Sequence, residues 1–282
     1  MYRLVLLIVS AFICFSCNGA DKKEIKASEI LKLIKKDKPV HVVNKIIVND
    51  LDFTVNSTPF IVNANSLQNE ISSNIFFSNC IFMGKVTANG KQGTLPVSTC
   101  FRNNLVFTDC DFRGEVDFEK TIVFGMVNFS KSVFGENANF NSMSVWSKDS
   151  YFSEVKAEKS FSMIYASFYG NVYFLDARFE DKASFQESSF KGKLNFNNSI
   201  FLQGVGFDLM EVCGAAFFNY AVFENNVDFS FSRFLYTTEF INPTLKGKAN
   251  FEKTFFLNTV RFEGIDTDRL ILTETFYGNK TH

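Results

Sequence analysis

The chain has 282 residues, of which 46% are hydrophobic and 16% aromatic, and its formal net charge is -1. This balance provides no broadly basic surface, so we expect no nucleic-acid partner. No apolar run of 18 or more residues follows the N-terminal segment, so the body of the chain is not expected to span a membrane.

Residues 1–17 are predicted to be a lipoprotein signal peptide rather than part of the fold. An apolar stretch at 4–15 is followed by Ser16 and Cys17, and the chain then turns polar. A small residue before a cysteine at this point resembles the bacterial lipobox. The resemblance implies lipid attachment at Cys17 and a place in the bacterial cell envelope, and Asn18 favours the outer over the inner membrane. A plain secretory signal with an incidental cysteine is the alternative.

Residues 18–38 are predicted to form a tether and a short capping helix. The helix is expected over residues 27–36, with Ser28 as its N-cap. Its apolar residues fall on one helical face: Ala27, Ile30, Leu31 and Ile34. This face would cover the N-terminal end of a repeat structure, where backbone groups lack partners. Eight lysines against four acids between residues 18 and 45 fit either attraction to an anionic membrane or an ordinary solvated face.

Phenylalanine recurs every eleven residues along the second half of the chain, in two series offset by five. One series is Met163, Phe174, Phe185, Phe196, Phe207, Phe218, Phe229, Phe240, Phe251 and Phe262. The other is Phe168, Phe179, Phe190, Phe201, Val212, Phe223, Phe234, Leu245 and Phe256. A fixed period of this kind indicates a repeat architecture, which is more typical of binding surfaces than of active sites.

The spacing within each repeat predicts short strands separated by corners. An apolar or small residue stands two positions before each phenylalanine, as Leu194 stands before Phe196. Period two places both residues on one face of a strand, and the intervening polar residues suit tight turns. Intervals of five and six in alternation therefore predict a wound β-solenoid with phenylalanine pointing inward.

Three irregularities are expected along the repeat region, which we place at residues 39–265. Turn-forming residues at 84–104 predict a loop or hairpin that protrudes from the coil. One extra residue near 141–143 is expected to form a bulge. Residues 263–282 are expected to leave the repeat register, with a C-terminal cap and tail at 266–282 in which residues 270–272 close the far end.

Many units of the chain resemble the pentapeptide repeat, A(D/N)LXX, in the subclass with phenylalanine at the central position. The clearest are Val116-Asp117-Phe118, Val127-Asn128-Phe129, Ala138-Asn139-Phe140, Leu194-Asn195-Phe196, Val227-Asp228-Phe229 and Ala249-Asn250-Phe251. The resemblance covers about residues 40–265. It implies an all-β fold, a right-handed quadrilateral β-helix with four short faces per coil. The alternate six-residue unit departs from the family pattern and gives a longer coil of 22 residues.

The cysteines give no metal or cofactor site in the sequence. No pair has CxxC spacing and the chain has only two histidines, so neither a metal nor a cofactor is expected. Cys80 and Cys110 occupy matching positions and could stack in neighbouring coils. They are either a disulfide pair or two small core residues without a bond.

A coil of 22 residues predicts which outward side chains lie above one another. Cys213, Leu235 and Leu257 would form an exposed apolar ladder, and Ile200 and Val222 would form a second one on another face. Such ladders suggest a partner surface or a homodimer contact. Glu211 and Arg233 would stack as a surface ion pair of little net stability.

The sequence favours a non-catalytic lipoprotein that presents its solenoid as a scaffold or binding surface for another protein or envelope component. It contains no nucleophile–histidine pair, phosphate-binding loop or metalloprotease motif. A β-helix enzyme or binder acting on polysaccharide is the alternative. Some cytoplasmic members of the resembled family mimic DNA through an acidic rod and bind topoisomerases. The weak charge and the signal peptide make that reading a remote alternative.

Overall fold

The computed structural model describes residues 22–55, 59–63 and 65–278. Over these residues the chain winds through four β-sheets, and consecutive coils pair in parallel register. Val205 pairs with Val227 and Ile200 with Val222, so the coil is 22 residues long, as predicted. The sheets are called faces A to D here, in the order in which the chain visits them within one coil.

Most strands are only two to four residues long, because each face of the coil is narrow. Face A contains Val40–Val43, Ile75–Ser78, Leu105–Thr108, Val127–Asn128, Asp149–Tyr151, Asn171–Tyr173, Leu194–Asn195, Ala216–Phe217, Thr238–Ile241 and Val260–Glu263. Face B contains Lys23–Lys26, Lys45–Val48, Ile81–Phe82, Asp111–Phe112, Val133–Phe134, Lys156–Ala157, Arg178–Phe179, Ile200–Phe201, Val222–Phe223 and Thr244–Leu245. Face C contains Leu51–Asp52, Val86–Thr87, Val116–Asp117, Ala138–Asn139, Phe161–Ser162, Ala183–Ser184, Val205–Gly206, Val227–Asp228, Ala249–Asn250 and Leu270–Ile271.

Face D differs from the other faces because two antiparallel hairpins extend it. Its strands are Phe60–Asn63, Ser66–Ile71, Asn89–Gln92, Leu95–Phe101, Ile122–Val123, Ser144–Val145, Ser167–Phe168, Ser189–Phe190, Glu211–Val212, Arg233–Phe234, Phe255–Phe256 and Phe276–Tyr277. One short helix, Ala27–Ile34, precedes the first coil, and 3-10 turns occupy Phe53–Val55 and Thr267–Arg269.

The alternation of five- and six-residue intervals follows from two kinds of corner. The five-residue interval from Phe107 to Phe112 contains Asp109, which has a φ of 54°. The next five-residue interval contains Lys120, with a φ of 56°. A residue in the left-handed conformation turns the chain sharply. Corners that contain such a residue therefore need one residue fewer than the other corners. The left-handed position then recurs with nearly the same eleven-residue period as the phenylalanines.

The inward phenylalanines form one continuous core. Members of both predicted series are buried, and Phe207 has no exposed surface. Rings one coil apart are stacked, as in Phe185–Phe207 at 5.1 Å, while neighbouring columns meet edge to face, as in Phe196–Phe207 at 5.3 Å. Both are arrangements that aromatic pairs prefer. The predicted all-β solenoid with inward phenylalanine is therefore confirmed.

The helix packs on the N-terminal coil, but its N-cap differs from the prediction. Ala27, Ile30 and Ile34 are buried in the same core cluster as the phenylalanines. Ser28 lies inside the helix, and Lys26 occupies the N-cap position instead. The Lys26 backbone N–H donates to a Glu29 carboxylate oxygen at 3.3 Å, which satisfies one free donor without a cap side chain.

The predicted protrusion at 84–104 is a hairpin, and it is narrower than expected. Asn89–Gln92 pairs antiparallel with Leu95–Phe101 around Gly93, which has a φ of 60°. Both ends of the 84–104 range belong to the coil, because Val86–Thr87 is a face C strand and Phe101 pairs with Ile71 on face D.

The extra residue lies further along the chain than 141–143. Ser144 pairs with Ile122 at the normal spacing of 22, whereas Ser150 pairs with Val127 at a spacing of 23. The insertion therefore falls between Val145 and Ser150, in the corner between faces D and A. A corner absorbs an added residue without breaking a ladder, which a bulge within a strand would do.

Residues 270–277 continue the coil, so the expected loss of register after residue 263 is wrong. Leu270 pairs with Ala249 and Phe276 with Phe255, each at a spacing of 21. This coil is one residue shorter than the others. The 3-10 turn Thr267–Arg269 replaces the usual corner, and the change of period hid the repeat in the sequence.

Candidate functional site

One column of outward side chains runs along the corner that follows face D. We call it the face D ladder: Arg102, Phe124, Trp146, Tyr169, Lys191, Cys213, Leu235 and Leu257. Each of the last three donates its backbone N–H to the coil before, so the predicted Cys213, Leu235 and Leu257 are stacked as expected. Leu257 is about half exposed, whereas Cys213 and Leu235 are partly buried. Their role as a partner surface stays a prediction.

The upstream part of the ladder is an exposed aromatic ridge formed by Phe124, Trp146 and Tyr169. The exposed fractions of these side chains are 43%, 49% and 46%. The Trp146 ring stacks on Tyr169 at 3.9 Å and on Phe124 at 6.1 Å, and the Arg102 guanidinium lies 5.0 Å from the centre of the Phe124 ring. The rings cover one another's faces, so the ridge presents ring edges to solvent.

A strip of small residues borders the ridge at the next position of each coil. Its members are Gly125, Ser147, Gly170, Gly192 and Gly214. At Gly192 an added Cβ would meet the Gly170 carbonyl carbon at 2.5 Å, so the coils approach too closely there for any side chain. The aromatic ridge therefore projects above the neighbouring strip of small residues. A partner with an apolar surface of complementary shape can pack against this step.

A charged cluster separates the aromatic ridge from the apolar end of the ladder. Glu211 accepts hydrogen bonds from Lys191 at 2.8 Å and from Arg233 at 3.0 Å. The hydrogen bond from Lys191 is the main cause that holds the pKa of the Glu211 carboxyl below its usual value. The predicted stacking of Glu211 with Arg233 is confirmed, and the structure adds Lys191 from the coil before.

Two apolar residues occupy left-handed corner positions next to face D. Leu209 and Phe231 lie one coil apart, each with a φ of 57°, and their exposed fractions are 51% and 48%. The left-handed conformation costs about 1–2 kcal/mol for a residue with a Cβ, less for asparagine, and exposure gives little burial in return. These positions enlarge the apolar surface at the expense of local backbone stability.

Replacing Leu209 by asparagine is expected to stabilise the fold. Asparagine tolerates the left-handed region better than leucine, so Leu209→Asn should raise the free energy of unfolding by about 0.5–1 kcal/mol. Chemical denaturation monitored by circular dichroism measures the change. Asn198→Leu, at an equivalent corner with a φ of 60°, is the reciprocal control and should destabilise by a similar amount. A destabilised Leu209→Asn variant would show that Leu209 contributes packing instead.

The second predicted ladder is in register but lies apart from the first. Ile200 and Val222 pair directly on face B, which is across the core from face D. Both are only partly exposed, and Arg178 and Thr244 flank them along the column. The structure therefore does not join them to the face D ladder in one surface.

Two of the cysteines named in the sequence analysis, Cys80 and Cys110, are neighbours in the fold. Cys17 lies outside the described residues. Cys80 and Cys110 are free thiols in adjacent coils, both buried, at the corner between faces A and B. A side-chain hydrogen bond between them is the main cause that lowers the pKa of Cys80 to about 7, whereas burial raises the pKa of Cys110. The two residues lie at equivalent positions of neighbouring coils, as their matching places in the sequence predicted.

We expect Cys80 and Cys110 to form a disulfide when the protein folds in an oxidising redox buffer. Adjacent coils are about 4.8 Å apart, within the Cα separation of about 4.4–6.8 Å that disulfides tolerate. Closing this loop should stabilise the fold by about 3–4 kcal/mol. Alkylation after denaturation, followed by mass spectrometry, should find both thiols protected, with Cys100 and Cys213 still reactive. Modification of all four would contradict the pairing, and Cys110→Ser is the matched control.

A shallow groove with both apolar and polar lining lies on the outer surface of face C. It has a volume of about 540 Å³, and Gly206 forms its floor between Ser184 and Asp228. On one side Gln186 donates to Asp208 at 2.7 Å, and Lys182 and Lys248 line the other side: these groups could hydrogen-bond the hydroxyls of a sugar. Among the described residues, no three His, Cys, Asp or Glu side chains are grouped to hold a metal ion.

The fold and the comparisons together define the class of protein. A family model described as pentapeptide repeats (9 copies) matches residues 164–209. Residues 164–209 therefore carry pentapeptide repeats, and the four-faced coil with its stacked phenylalanine core, which continues through the described residues on both sides of them, supports a β-solenoid of the pentapeptide-repeat type, a general protein-interaction fold. No curated protein and no solved structure matches the chain. Within the described ranges, no helix has the length and apolar character needed to cross a bilayer.

Proposed function

We propose that the protein is a non-catalytic, lipid-anchored scaffold of the bacterial cell envelope, which binds another envelope protein through face D. The aromatic ridge is the single observation that carries the proposal. Three large aromatic side chains, each about half exposed, form one continuous strip over three coils. Aromatic residues of this kind are enriched at the centres of protein interfaces and contribute most of their binding energy.

The geometry of the ridge favours a protein partner over a glycan. A sugar ring stacks on an open aromatic face, but Tyr169 covers one face of the Trp146 ring at 3.9 Å and Phe124 stacks more loosely on the other side at 6.1 Å. Exposed ring edges instead suit apolar side chains and aromatic faces supplied by a partner. Arg102, held by Glu70 at 2.6 Å, adds a charged donor at one end of the ridge.

Site-specific crosslinking in intact cells tests this proposal. A photoreactive amino acid at Tyr169 should give one dominant crosslinked protein by mass spectrometry, and Trp146→Ser should reduce its yield by about tenfold or more. The same photoreactive residue at Tyr220, which is 56% exposed at a corner away from the ridge, is the matched control. Equal crosslinking from Tyr169 and Tyr220, or no effect of Trp146→Ser, would refute the role of the ridge.

Polysaccharide binding is the second candidate, and the face C groove is the observation that favours it. Amide, carboxylate and ammonium groups line this groove at neighbouring coils, which is a typical composition for hydrogen bonding to hydroxyls. A glycan panel scored separately for binding and for product release would distinguish a binder from an enzyme. Gly206→Gln should fill the floor of the groove and abolish binding, while Trp146→Ser should leave it unchanged.

A further inference from the structure

The N-terminal edge of face D carries an apolar strand that is exposed on both of its sides. In Phe60–Asn63 the exposed fractions of Phe60, Ile61 and Val62 are 47%, 74% and 54%. Side chains alternate sides along a strand, so Phe60 and Ile61 project from opposite sides, and Val62 is the unpaired residue at a register shift between Ile61 and Asn63. Within the described ranges this strand is also the last one on its side of the sheet, since it pairs there only with Ser66–Ile71. An uncovered apolar edge strand is a liability unless something occupies it.

Four exposed lysines lie at the same end of the solenoid. The helix Ala27–Ile34 packs on the first coil, and Lys32, Lys35, Lys36 and Lys38 are exposed on it or directly after it. Within the described ranges, no ion pair joins these four lysines to an acidic side chain. Their charge is therefore available to an anionic surface facing this end, which attracts lysines that lie within a Debye length of it.

The direction of the chain brings its apolar N-terminal stretch to this end as well. The described residues begin at Lys22, and the face B strand Lys23–Lys26 that follows is the outermost strand of its sheet. Residues 16–21 join it to the apolar stretch 4–15, and six residues span at most about 20 Å. A bilayer that holds residues 4–15, or a lipid on Cys17, would therefore be tethered within this distance of Lys22 at the N-terminal end of the solenoid.

We propose that the N-terminal end of the solenoid docks on an anionic lipid bilayer, with Phe60, Ile61 and Val62 inserted at the interface and the helix lysines on the headgroups. The rod then stands on the membrane, and the aromatic ridge lies on its side, above the bilayer surface. This inference rests on the envelope location in the proposed function, but it does not depend on the aromatic ridge. It explains the apolar exposure on both sides of the strand, whereas an added strand from a partner would cover only the backbone edge.

Tryptophan quenching in proteoliposomes tests the docking, with the full chain throughout. Trp146 is the only tryptophan, so the unmodified protein reports on the middle of the rod and Ile61→Trp adds a reporter at its end. Vesicles contain phosphatidylglycerol and phosphatidylcholine with brominated acyl chains. Insertion to about 5–10 Å should quench the added Ile61→Trp emission by about half or more and leave the unmodified protein unquenched. Lys32→Glu with Lys35→Glu, or vesicles of phosphatidylcholine alone, should reduce the quenching.

The other outcomes each overturn the proposal in a distinct way. Quenching of Trp146 in the unmodified protein would mean that the rod lies flat on face D. No quenching of Ile61→Trp, with its amides still protected from hydrogen exchange without lipid, would assign the strand to a protein partner. Leu257→Trp, at an exposed site far along face D, is the matched reporter that should stay unquenched. Crosslinking at Tyr169 is read separately, so failure of the docking is distinguishable from failure of the ridge.

Discussion

Phe207→Ala is expected to destabilise the fold by about 3–5 kcal/mol. Phe207 has no exposed surface, and its ring stacks on Phe185 at 5.1 Å and on Phe229 at 4.9 Å. The Phe207 ring also makes edge-to-face contacts with the rings of Phe196 and Phe218. Truncation removes the transfer free energy of the ring and leaves a cavity that these four rings cannot fill, because each is held by its own coil.

Denaturant unfolding with circular dichroism measures this loss. Phe231→Ala removes the same atoms from a ring that is 48% exposed, so it should cost less than about 1 kcal/mol. Both variants replace phenylalanine by alanine, so the difference between their unfolding free energies reports the effect of burial alone. Equal costs at the two positions would be incompatible with a phenylalanine core.

Gly192→Ala should be nearly as damaging, although it adds only a methyl group. A Cβ at Gly192 would meet the carbonyl carbon of Gly170 at 2.5 Å and its oxygen at 2.6 Å, and both are backbone atoms that cannot turn aside. The coils would have to separate locally and lengthen the ladder hydrogen bonds on face A. We expect a cost of about 3 kcal/mol.

Gly204→Ala is the matched control for the glycine strip. The nearest atom to a Cβ at Gly204 is the Asn226 carbonyl oxygen at 3.6 Å, which is an ordinary contact. The substitution should change stability by less than about 1 kcal/mol, or raise it slightly by restricting the unfolded chain. Comparable losses at Gly192 and Gly204 would show that chain flexibility, rather than close approach of the coils, requires glycine at these corners.

The solenoid could be predicted from the sequence because the phenylalanines that fill its core are also the residues that recur with its period. Inward positions recur with the coil, so Phe174 and Phe185, eleven residues apart, could be placed on opposite walls of the core from spacing alone. The extra residue is predicted too early in the chain when Trp146 is counted as the next core position after Phe140. The next core position is Val145, which keeps the normal five-residue interval, and Trp146 points outward. The interval of seven between Val145 and Phe152 is the signal that identifies the insertion.

The candidate surface was predicted only in part. Counting by 22 found Cys213, Leu235 and Leu257, but the same column continues upstream through the inserted corner to Tyr169 and Trp146. The extra residue breaks the count there, and three different aromatic residues do not look like one ladder. The exposure of the Phe60–Asn63 strand could not be predicted from the sequence. A run of apolar residues normally indicates a buried strand, and only the fold shows that this one lies outside the coil.

The left-handed corners give the rod an approximate half-turn symmetry. Corners of the same kind follow faces A and C, so eleven residues carry the chain halfway around the coil to an equivalent corner. Deleting a whole coil would shorten the rod and keep every column aligned. Deleting eleven residues would also preserve the core, but it would rotate everything downstream to the opposite side. A deletion of that length between Lys191 and Leu235 would leave the aromatic ridge on one side and carry Leu235 and Leu257 to the other. Recombination within such a gene can therefore rearrange surfaces without redesigning the interior.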